Sequence, residues 1–345
     1  MISSAAVGVI LAQIGTPDAP SARAVRPYLK RFLSDRRVID YSPLFWQPLL
    51  QGIILRVRPR RSAALYSEIW EPEGSPLLLH SLAQQTGIRE RLGEGYQVEL
   101  ALSYGGPDME RAVSALEKAG VERIVVAPLF PQYSSTTTAS VYDAACFAAL
   151  GRNHARGPAP KRKVPSLRLA DSFHDDPRYI RAMAVHLKRS LASLDGMPDY
   201  YLLSFHGIPV RYADSGDPYP GQCHETARLL AEAMGWEEGQ WGVSFQSRFG
   251  PERWVGPSTS DRIGELAKSG VRRPFLFSPG LVTDCLETLH ELAVEGRELF
   301  AEAGGNASGF AVAPCLNAEP EWLDFLADFI RSHSSGWASP PGAAL

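Results

Sequence analysis

A histidine follows a predicted buried strand in the string YYLLSFHGIP, which covers residues 200–209. Tyr200 to Ser204 are mostly apolar, as in a strand covered on both faces, and Gly207 and Pro209 then end the strand. An imidazole titrates near neutral pH, so His206 could accept a proton or bind a metal ion. The alternative is a loop histidine that hydrogen-bonds to the backbone, and this string alone leaves both open.

Three carboxylates occur at helical spacing in SPGLVTDCLETLHELAVE, residues 278–295. The pattern predicts a helix that begins near Thr283 or Asp284, which places Asp284, Glu287 and Glu291 at i, i+3 and i+7 on one face. Carboxylates so grouped could bind a cation or carry protons. In the alternative, Asp284 is a helix N-cap to which Glu287 reaches back, and Glu291 is ordinary solvated surface.

Short apolar runs alternate with amphipathic stretches along the chain, which predicts an α/β fold with parallel sheets. The predicted buried strands include AVGVILA, RIVVAPLF, YYLLSF and PFLFS. The predicted helices include DMERAVSALEKAG, PRYIRAMAVHLKRSLASL, CHETARLLAEAMG and TDCLETLHELAVEGRELFAEAG. Ligands of such sheets bind beyond the carboxyl ends of the strands, which is where His206 is expected.

The chain also repeats itself weakly. Three pairs of strings occur in the same order: LAQIGTP (11–17) with LSFHGIP (203–209), LSYGGP (102–107) with SRFGP (247–251), and GVERIVVAP (120–128) with GVRRPFLFSP (270–279). Their order favours two copies of one α/β unit over chance similarity. The segment 151–166 is rich in Gly, Pro and basic residues and reads as a surface linker between them, while the residues after Arg331 read as a loose tail.

Composition excludes several classes of function. The 345 residues are 45% hydrophobic and 21% charged with a net charge of -3, and no basic block suggests nucleic acid as the main partner. No basic leader and no apolar run of roughly 18 residues occurs, so a cytosolic protein is expected. No G-x-S-x-G elbow and no G-x-G-x-x-G turn supports a serine hydrolase or a dinucleotide site.

The cysteines favour buried thiols over other uses. Cys146, Cys223, Cys285 and Cys315 are far apart in the chain and form no C-x-x-C pair. A zinc site, an iron–sulfur site or a disulfide framework is therefore not indicated.

Six strings together closely resemble the ferrochelatases, the enzymes that insert ferrous iron into a porphyrin. They are GTPDAP (15–20), FLSDRRVID (32–40), PLFPQYSSTTTAS (128–140), SFHGIP (204–209), VSFQSRFGPERWVGPST (243–259) and PGLVTDCLETLHE (279–291). The resemblance runs in the family's order from about residue 8 to about residue 330. It implies two similar Rossmann-like domains with a porphyrin cleft between them, and the activity of a lyase that completes haem biosynthesis.

The resemblance also implies roles for particular residues. His206 and Glu287 match the family's active-site histidine and glutamate, as catalytic groups and iron ligands, with Asp284 and Glu291 as supporting acidic residues. The implied porphyrin-binding residues are Ile14, Arg58, Tyr66 and Tyr133. Two positions depart from the family pattern: the order RPRR at 58–61 is unusual, and Ser103 stands where many relatives have Arg.

Domain boundaries and cofactors follow from the same resemblance. The N-terminal domain is expected to cover 1–160 together with a C-terminal helix at 318–332, the C-terminal domain 161–317, and a loose tail 333–345. Relatives with a [2Fe-2S] cluster carry a C-terminal group of cysteines, whereas this chain has only Cys315 near its end. The resemblance therefore implies no cluster and no other cofactor, since iron is a substrate.

Alternatives remain at this point. The substrate implied is protoporphyrin IX, but a chelatase for coproporphyrin or sirohydrochlorin, or a non-catalytic porphyrin or haem binder of the same fold, is also open. The segment LFWQPLLQGIILRVRPRR (44–61) mixes apolar and basic residues, so it either touches the inner membrane peripherally or packs as an ordinary helix.

Overall fold

The computed structural model describes residues 6–151, 160–248 and 250–337. The chain divides into two compact units. Unit 1 takes its described residues from Met1–Leu129, Ser135–Ser172 and Leu323–Leu345, and unit 2 takes them from Phe130–Ser134 and Phe173–Trp322. The domain boundaries derived from the sequence, at 160/161 and 317/318, stay a prediction. Within the described ranges, no helix is long and apolar enough to cross a bilayer.

Unit 1 contains a parallel four-stranded sheet in the order β2-β1-β3-β4. Its strands are β1 (Val7–Gln13), β2 (Tyr96–Leu102), β3 (Arg123–Pro128) and β4 (Ser166–Leu169). Every residue of β1 is buried, because a central parallel strand has neighbours on both edges and helices on its faces. The apolar runs AVGVILA and RIVVAPLF thus form the strands that the sequence predicts.

Six helices in the described part of unit 1 precede or connect its strands, and two of them begin at a side-chain cap. The helices assigned here are α1 (Ala22–Ser34), α2 (Pro43–Leu49), α3 (Leu55–Ile69), α4 (Pro76–Leu92), α5 (Met109–Lys118) and α6 (Thr138–Leu150). Ser21 caps α1 and Asp108 caps α5, each by accepting a bond from the backbone three residues on. A π-helical turn, Leu50–Ile54, joins α2 to α3, so that 43–69 is one continuous helical segment.

Unit 2 repeats this topology with a parallel sheet in the order β6-β5-β7-β8. Its strands are β5 (Tyr200–His206), β6 (Trp241–Gln246), β7 (Pro274–Phe277) and β8 (Ala311–Val312). The same order of connections in both units confirms the two-copy α/β fold that the repeated strings indicate. In the second pair of strings, however, the alignment is wrong in detail. Leu102 N donates to Pro107 O and Phe245 N to Pro257 O, so Pro107 corresponds to Pro257 and not to Pro251.

The helices of unit 2 flank its sheet. They are α7 (Pro177–Ala192), α8 (Val210–Asp214), α9 (Tyr219–Met234), α10 (Thr259–Lys268) and α11 (Gly296–Glu302), followed by α12 (Pro320–His333), most of which belongs to unit 1. The helix predicted from Thr283 or Asp284 differs from the observed one. A π-helix, Glu287–Glu295, precedes α11, and Asp284 lies before the helix begins.

Two segments expected to be irregular are partly ordered. The predicted linker lies partly outside the described residues, but Lys161 within it pairs with Glu117 at 2.8 Å. In the tail, Arg168 donates to the carbonyls of His333 and Ser335 at 2.8 Å, and its guanidinium stacks 3.9 Å from the Trp337 ring. Residues 333–337 are therefore held beside β4 by the Arg168 side chain, which the low apolar content does not reveal. Residues 338–345 lie outside the described residues.

Candidate active site

The imidazole of His206 is oriented by the peptide that follows it. His206 is the last residue of β5 and is half-buried, and its Nδ1 lies 2.7 Å from the carbonyl oxygen of Gly207. A carbonyl oxygen only accepts, so Nδ1 carries the proton, and in the neutral ring Nε2 has a free lone pair. The bond to the backbone that one sequence interpretation expects is thus formed by Nδ1, and a role of Nε2 in proton or metal binding stays a prediction.

A serine from the neighbouring strand end holds the Glu291 carboxylate. The backbone N–H of Ser247 donates to Oε1 at 2.7 Å, and its hydroxyl donates to Oε2 at 2.5 Å. Ser247 has φ 65°, in the left-handed region that non-glycine residues rarely adopt. Glu291 is therefore a fixed, partly buried group and not solvated surface.

The electrostatics of Glu291 connect it to the two other predicted active-site groups. Burial raises the pKa of Glu291 above its usual range, and the charge of Glu287 raises it further. The hydrogen bonds from Ser247 and the charge of His206 act in the opposite direction on the same pKa. The structure therefore brings His206 and Glu287 close enough to Glu291 to influence the pKa of its carboxyl.

Glu287 begins the π-helix and contacts a buried thiol. Its carboxylate hydrogen-bonds to Cys285, whose pKa is raised by burial and additionally by the Glu287 charge. Residues four apart lie on nearly the same face of a helix, and the wider π-helical turn keeps this true for Glu287 and Glu291. Because its pKa is raised, the Cys285 thiol stays neutral beside the Glu287 carboxylate.

Asp284 does not share the face of the other two carboxylates, so the predicted three-carboxylate stripe is wrong. Asp284 is 4% exposed, and its carboxylate accepts bonds from Thr288 Oγ1 at 2.8 Å, Cys315 N at 3.1 Å and Asn317 Nδ2 at 2.7 Å. Its own N–H donates to Asn317 Oδ1 at 2.9 Å, so the capping box with Glu287 is not formed either. Asp284 instead ties the start of the π-helix to the segment before α12.

Tyr133 lies in a three-residue segment that is hydrogen-bonded to α9 and to the turn before it. Gln132 Nε2 donates to Thr226 Oγ1 at 2.9 Å, and Tyr133 N donates to Gln222 Oε1 at 2.7 Å. Ser134 Oγ donates to Asp217 Oδ2 at 3.0 Å. The sequence analysis missed these partners, because they lie more than eighty residues further along the chain.

The remaining predicted porphyrin-binding residues lie in unit 1. Ile14 follows β1 directly, and its carbonyl accepts a bond from Tyr104 N at 2.9 Å. Arg58 and Tyr66 both lie on α3. Arg58 is half-buried, and the buried Tyr66 ring packs edge to face on Tyr28, with centroids 6.3 Å apart.

Neither a metal cluster nor a disulfide is formed by the described residues. No group of three or more His, Cys, Asp or Glu side chains within 6–151, 160–248 and 250–337 converges to hold a metal ion. All four cysteines are free thiols. Burial raises the pKa of Cys223, Cys285 and Cys315, which makes them unreactive.

Comparison with solved structures first defines the class of fold. Sirohydrochlorin chelatase SirB from Bacillus subtilis with Fe³⁺ superposes with a TM-score of 0.55 at 13% identity, over 96% of both chains. Its counterpart from B. subtilis subspecies spizizenii with cobalt gives a TM-score of 0.52 at 12% identity, over 95% of both chains. At such low identity these matches show only that the fold is that of the chelatases.

Comparison by sequence then gives the family. The ferrochelatase family model matches residues 6–334. Curated ferrochelatases are similar over almost the whole chain: that of Azoarcus sp. is 46% identical, covering 98% of this chain and 91% of that protein, and that of Rhizobium meliloti is 45% identical, covering 96% of each. Ferrochelatase 1 of Shewanella oneidensis is 43% identical, covering 97% and 98%.

The chain belongs to the ferrochelatase family. The resemblance carried by the six strings is thereby confirmed, together with the class of enzyme that it implies, a porphyrin metal chelatase of haem synthesis. The roles of the individual site residues stay predictions.

Proposed function

We propose that this enzyme inserts Fe²⁺ into protoporphyrin IX, giving protohaem and two protons. A free porphyrin carries two pyrrolic N–H protons and a ring too small for a hydrated ion, so insertion requires ring bending, deprotonation and removal of water from the metal. The observation that carries the proposal is the His206 ring, whose Nδ1 is occupied by Gly207 and whose Nε2 is an acceptor near Glu287 and Glu291.

His206 and Glu287 share the tasks of base and ligand in this proposal. The neutral Nε2 accepts a pyrrole proton, and imidazole and carboxylate both suit ferrous iron as ligands. Glu291 is supporting, because burial raises the pKa of its carboxyl and so favours its taking up a proton and passing it outward. Asp284 supports the site only through the position of the π-helix.

The porphyrin contacts are proposed to come from four side chains. Ile14, Arg58, Tyr66 and Tyr133 are the residues concerned. Aromatic and aliphatic side chains bury the ring and offset the strain of bending it, and Arg58 suits a propionate.

Protoporphyrin is favoured over coproporphyrin by two residues. Ile14 adds apolar contact and no hydrogen-bond donor. At position 103 this chain has serine, so the cationic Arg that many relatives have there is missing. Coproporphyrin has two more propionates, each of which needs a cationic or solvated partner. We expect kcat/KM to be about tenfold higher for protoporphyrin, or roughly 1.4 kcal/mol in transition-state binding. Steady-state assays of both substrates in one detergent test this, and equal rates or a preference for coproporphyrin would contradict it.

The activity itself is tested by mixing the purified protein anaerobically with Fe²⁺ and protoporphyrin and following the optical spectrum. Enzyme-dependent loss of the free-porphyrin bands and appearance of haem support the proposal. Tight porphyrin binding without metal insertion would favour a non-catalytic binder. Turnover of sirohydrochlorin alone would favour the other chelatase activity.

We further propose that the protein holds no iron–sulfur cluster. Its cysteines are scattered, and three of them are buried in unit 2. The purified protein is expected to lack acid-labile sulfide and cluster absorbance. Stoichiometric sulfide would overturn this part.

A cytoplasmic location with peripheral contact to the inner membrane is also proposed. The helical segment 43–69 exposes four apolar side chains by more than half, namely Leu44, Phe45, Ile53 and Val57, and its exposed cations are Arg56, Arg60 and Arg61. This combination suits an anionic bilayer surface. Binding to vesicles that contain anionic phospholipid should weaken on Phe45→Ser. It should be unaffected by Leu82→Ser, which changes another exposed leucine of unit 1, and equal binding by both variants would contradict the proposal.

A further inference from the structure

The loop between β6 and α10 lies along the residues that follow His206. Val210 N donates to Arg253 O at 2.9 Å, and Val255 N donates to Ile208 O at 3.0 Å. Pro209 and Trp254 form the antiparallel bridge between these two bonds. The loop is fixed at its far end as well, where Phe245 N donates to Pro257 O at 2.9 Å. Residues 253–255 are therefore held in a defined place against 208–210.

This arrangement places the Trp254 ring directly on Gly207. A Cβ at position 207 would lie 3.1 Å from Trp254 Cε3 and 3.0 Å from the backbone oxygen of Gln246. The N–H of Gly207 donates to that same Gln246 oxygen at 2.8 Å. The Gly207 peptide is thus confined by the sheet on one side and by the indole on the other, and only glycine fits without displacing one of them.

The carbonyl of this confined residue is the group that accepts the Nδ1–H of His206. A displacement of the peptide by a few tenths of an ångström would lengthen that bond and release the ring to the other tautomer or rotamer. The acceptor lone pair would then no longer be confined to Nε2. Orientation of a histidine by a hydrogen bond on its other nitrogen is how proteins select which nitrogen reacts.

We propose that Trp254 and Gly207 are positioning residues that lock His206 in the Nδ1–H tautomer, with Nε2 as the reactive nitrogen. The proposal rests on the role of His206 given under the proposed function. It adds that the β6–α10 loop, through the contact of the Trp254 ring with Gly207, determines which nitrogen of His206 is available.

The test uses ¹⁵N-histidine-labelled full-length protein without porphyrin or iron, so that the tautomer is read independently of turnover. Comparison with His206→Ala assigns the His206 ring signals. Wild-type His206 should show a protonated Nδ1 and an unprotonated Nε2 at a pH where the ring is neutral. Gly207→Ala should lose this pattern in favour of a tautomer mixture and should lower kcat by about tenfold or more with KM nearly unchanged.

Two further variants make the outcome specific to the contact. Trp254→Ala removes the indole that packs on Gly207, so it should also give a mixture of His206 tautomers. In Gly207→Ala/Trp254→Ala the added methyl no longer meets the indole, although its contact with the Gln246 backbone oxygen remains, so the double variant should lose less than the product of the single losses in kcat. Gly221→Ala is the matched control, because a Cβ at this glycine of α9 meets nothing within 4 Å. It should behave as wild type.

The results separate this proposal from the proposed function. An unchanged Nδ1–H pattern in both single variants would overturn the positioning proposal, whatever their rates. A tautomer change with kcat unaltered would overturn it too. If His206→Ala retained wild-type turnover, the proposed function of His206 would fail instead, while the tautomer data would still stand.

Discussion

The central strands β1 and β5 occupy the same place in their sheets, but they end in different chemistry. In the string LAQIGTP, Ile14 follows β1 directly, and in LSFHGIP, His206 ends β5 at the matching position. Each residue is followed by a glycine that the neighbouring strand end approaches closely, since a Cβ at Gly15 would lie 2.0 Å from Tyr104 O. The repeated scaffold therefore provides two equivalent positions, of which one is aliphatic and one titratable.

The loops beside these positions differ in length. The loop after β2 covers 103–107 and the loop after β6 covers 247–257, although both return to the sheet through a proline carbonyl. The longer loop supplies Ser247, which holds Glu291, and Trp254, which covers Gly207. The two units therefore share one fold, and the candidate active site of unit 2 combines a longer loop and a titratable strand end with the π-helix that carries Glu287 and Glu291.

The largest effect is expected from removing the titratable member of the pair. His206→Ala deletes the proposed proton acceptor and ligand, so kcat should fall by about 10²–10⁴-fold, while porphyrin affinity and the melting temperature change little. The matched control is Ile14→Ala at the equivalent strand end of unit 1. It should mainly raise KM, because it removes apolar contact only. Similar kcat losses in both variants would break the comparison.

Glu287→Gln should give the next largest loss, about 10²-fold in kcat, because the amide keeps the shape but neither carries a proton nor binds iron well. The absence of a capping box means that the helix start does not depend on Glu287. Thermal stability should therefore be close to that of wild type. A variant that lost stability but retained its turnover would show that Glu287 is structural.

Much of this could be predicted from the sequence, and the part that could not depends on contacts distant in the chain. Buried strands and their ends were predictable because a parallel strand is a short apolar run that Gly and Pro terminate. The role of Asp284 was not, because its partners Cys315 and Asn317 lie about thirty residues further on. The π-helix was missed because an apolar period near 3.6 also fits its buried face. The left-handed backbone of Ser247 leaves no sequence signal, since serine is not the residue expected there.

Ser247 offers a sharper test of the longer loop. Ser247→Ala and Ser247→Gly both remove the hydroxyl that donates to Glu291, so both should lower kcat by a similar factor of about 3–10. The alanine variant should be less stable than the glycine variant by about 1–2 kcal/mol, because a φ of 65° strains alanine but not glycine. Thermal melts and steady-state rates of the two variants measure the two effects separately. Equal melting temperatures would mean that the left-handed conformation relaxes in the alanine variant.

The smallest effect expected is on the pH dependence of stability, and it concerns Glu291. Burial raises the pKa of this carboxyl in the folded state. Between the unfolded and the folded pKa values, the folded protein therefore binds more protons than the unfolded chain. Stability falls as pH rises through that interval. Glu291→Gln mimics the protonated acid. Its melting temperature should match wild type below about pH 4, near the unfolded pKa, and exceed it increasingly as pH rises through the folded pKa.

An exposed carboxyl of the same unit gives the control of opposite sign. A hydrogen bond from Arg228 lowers the pKa of Glu225, so its ionised form favours folding above the unfolded pKa. Glu225→Gln should therefore lose a little stability relative to wild type as pH rises, where Glu291→Gln gains it. Melting curves of the three proteins over one pH series measure both slopes. Parallel curves for wild type and Glu291→Gln would show that Ser247 and His206 fully compensate the burial of Glu291, and the unit 2 loop would then hold an ordinary ionised carboxylate.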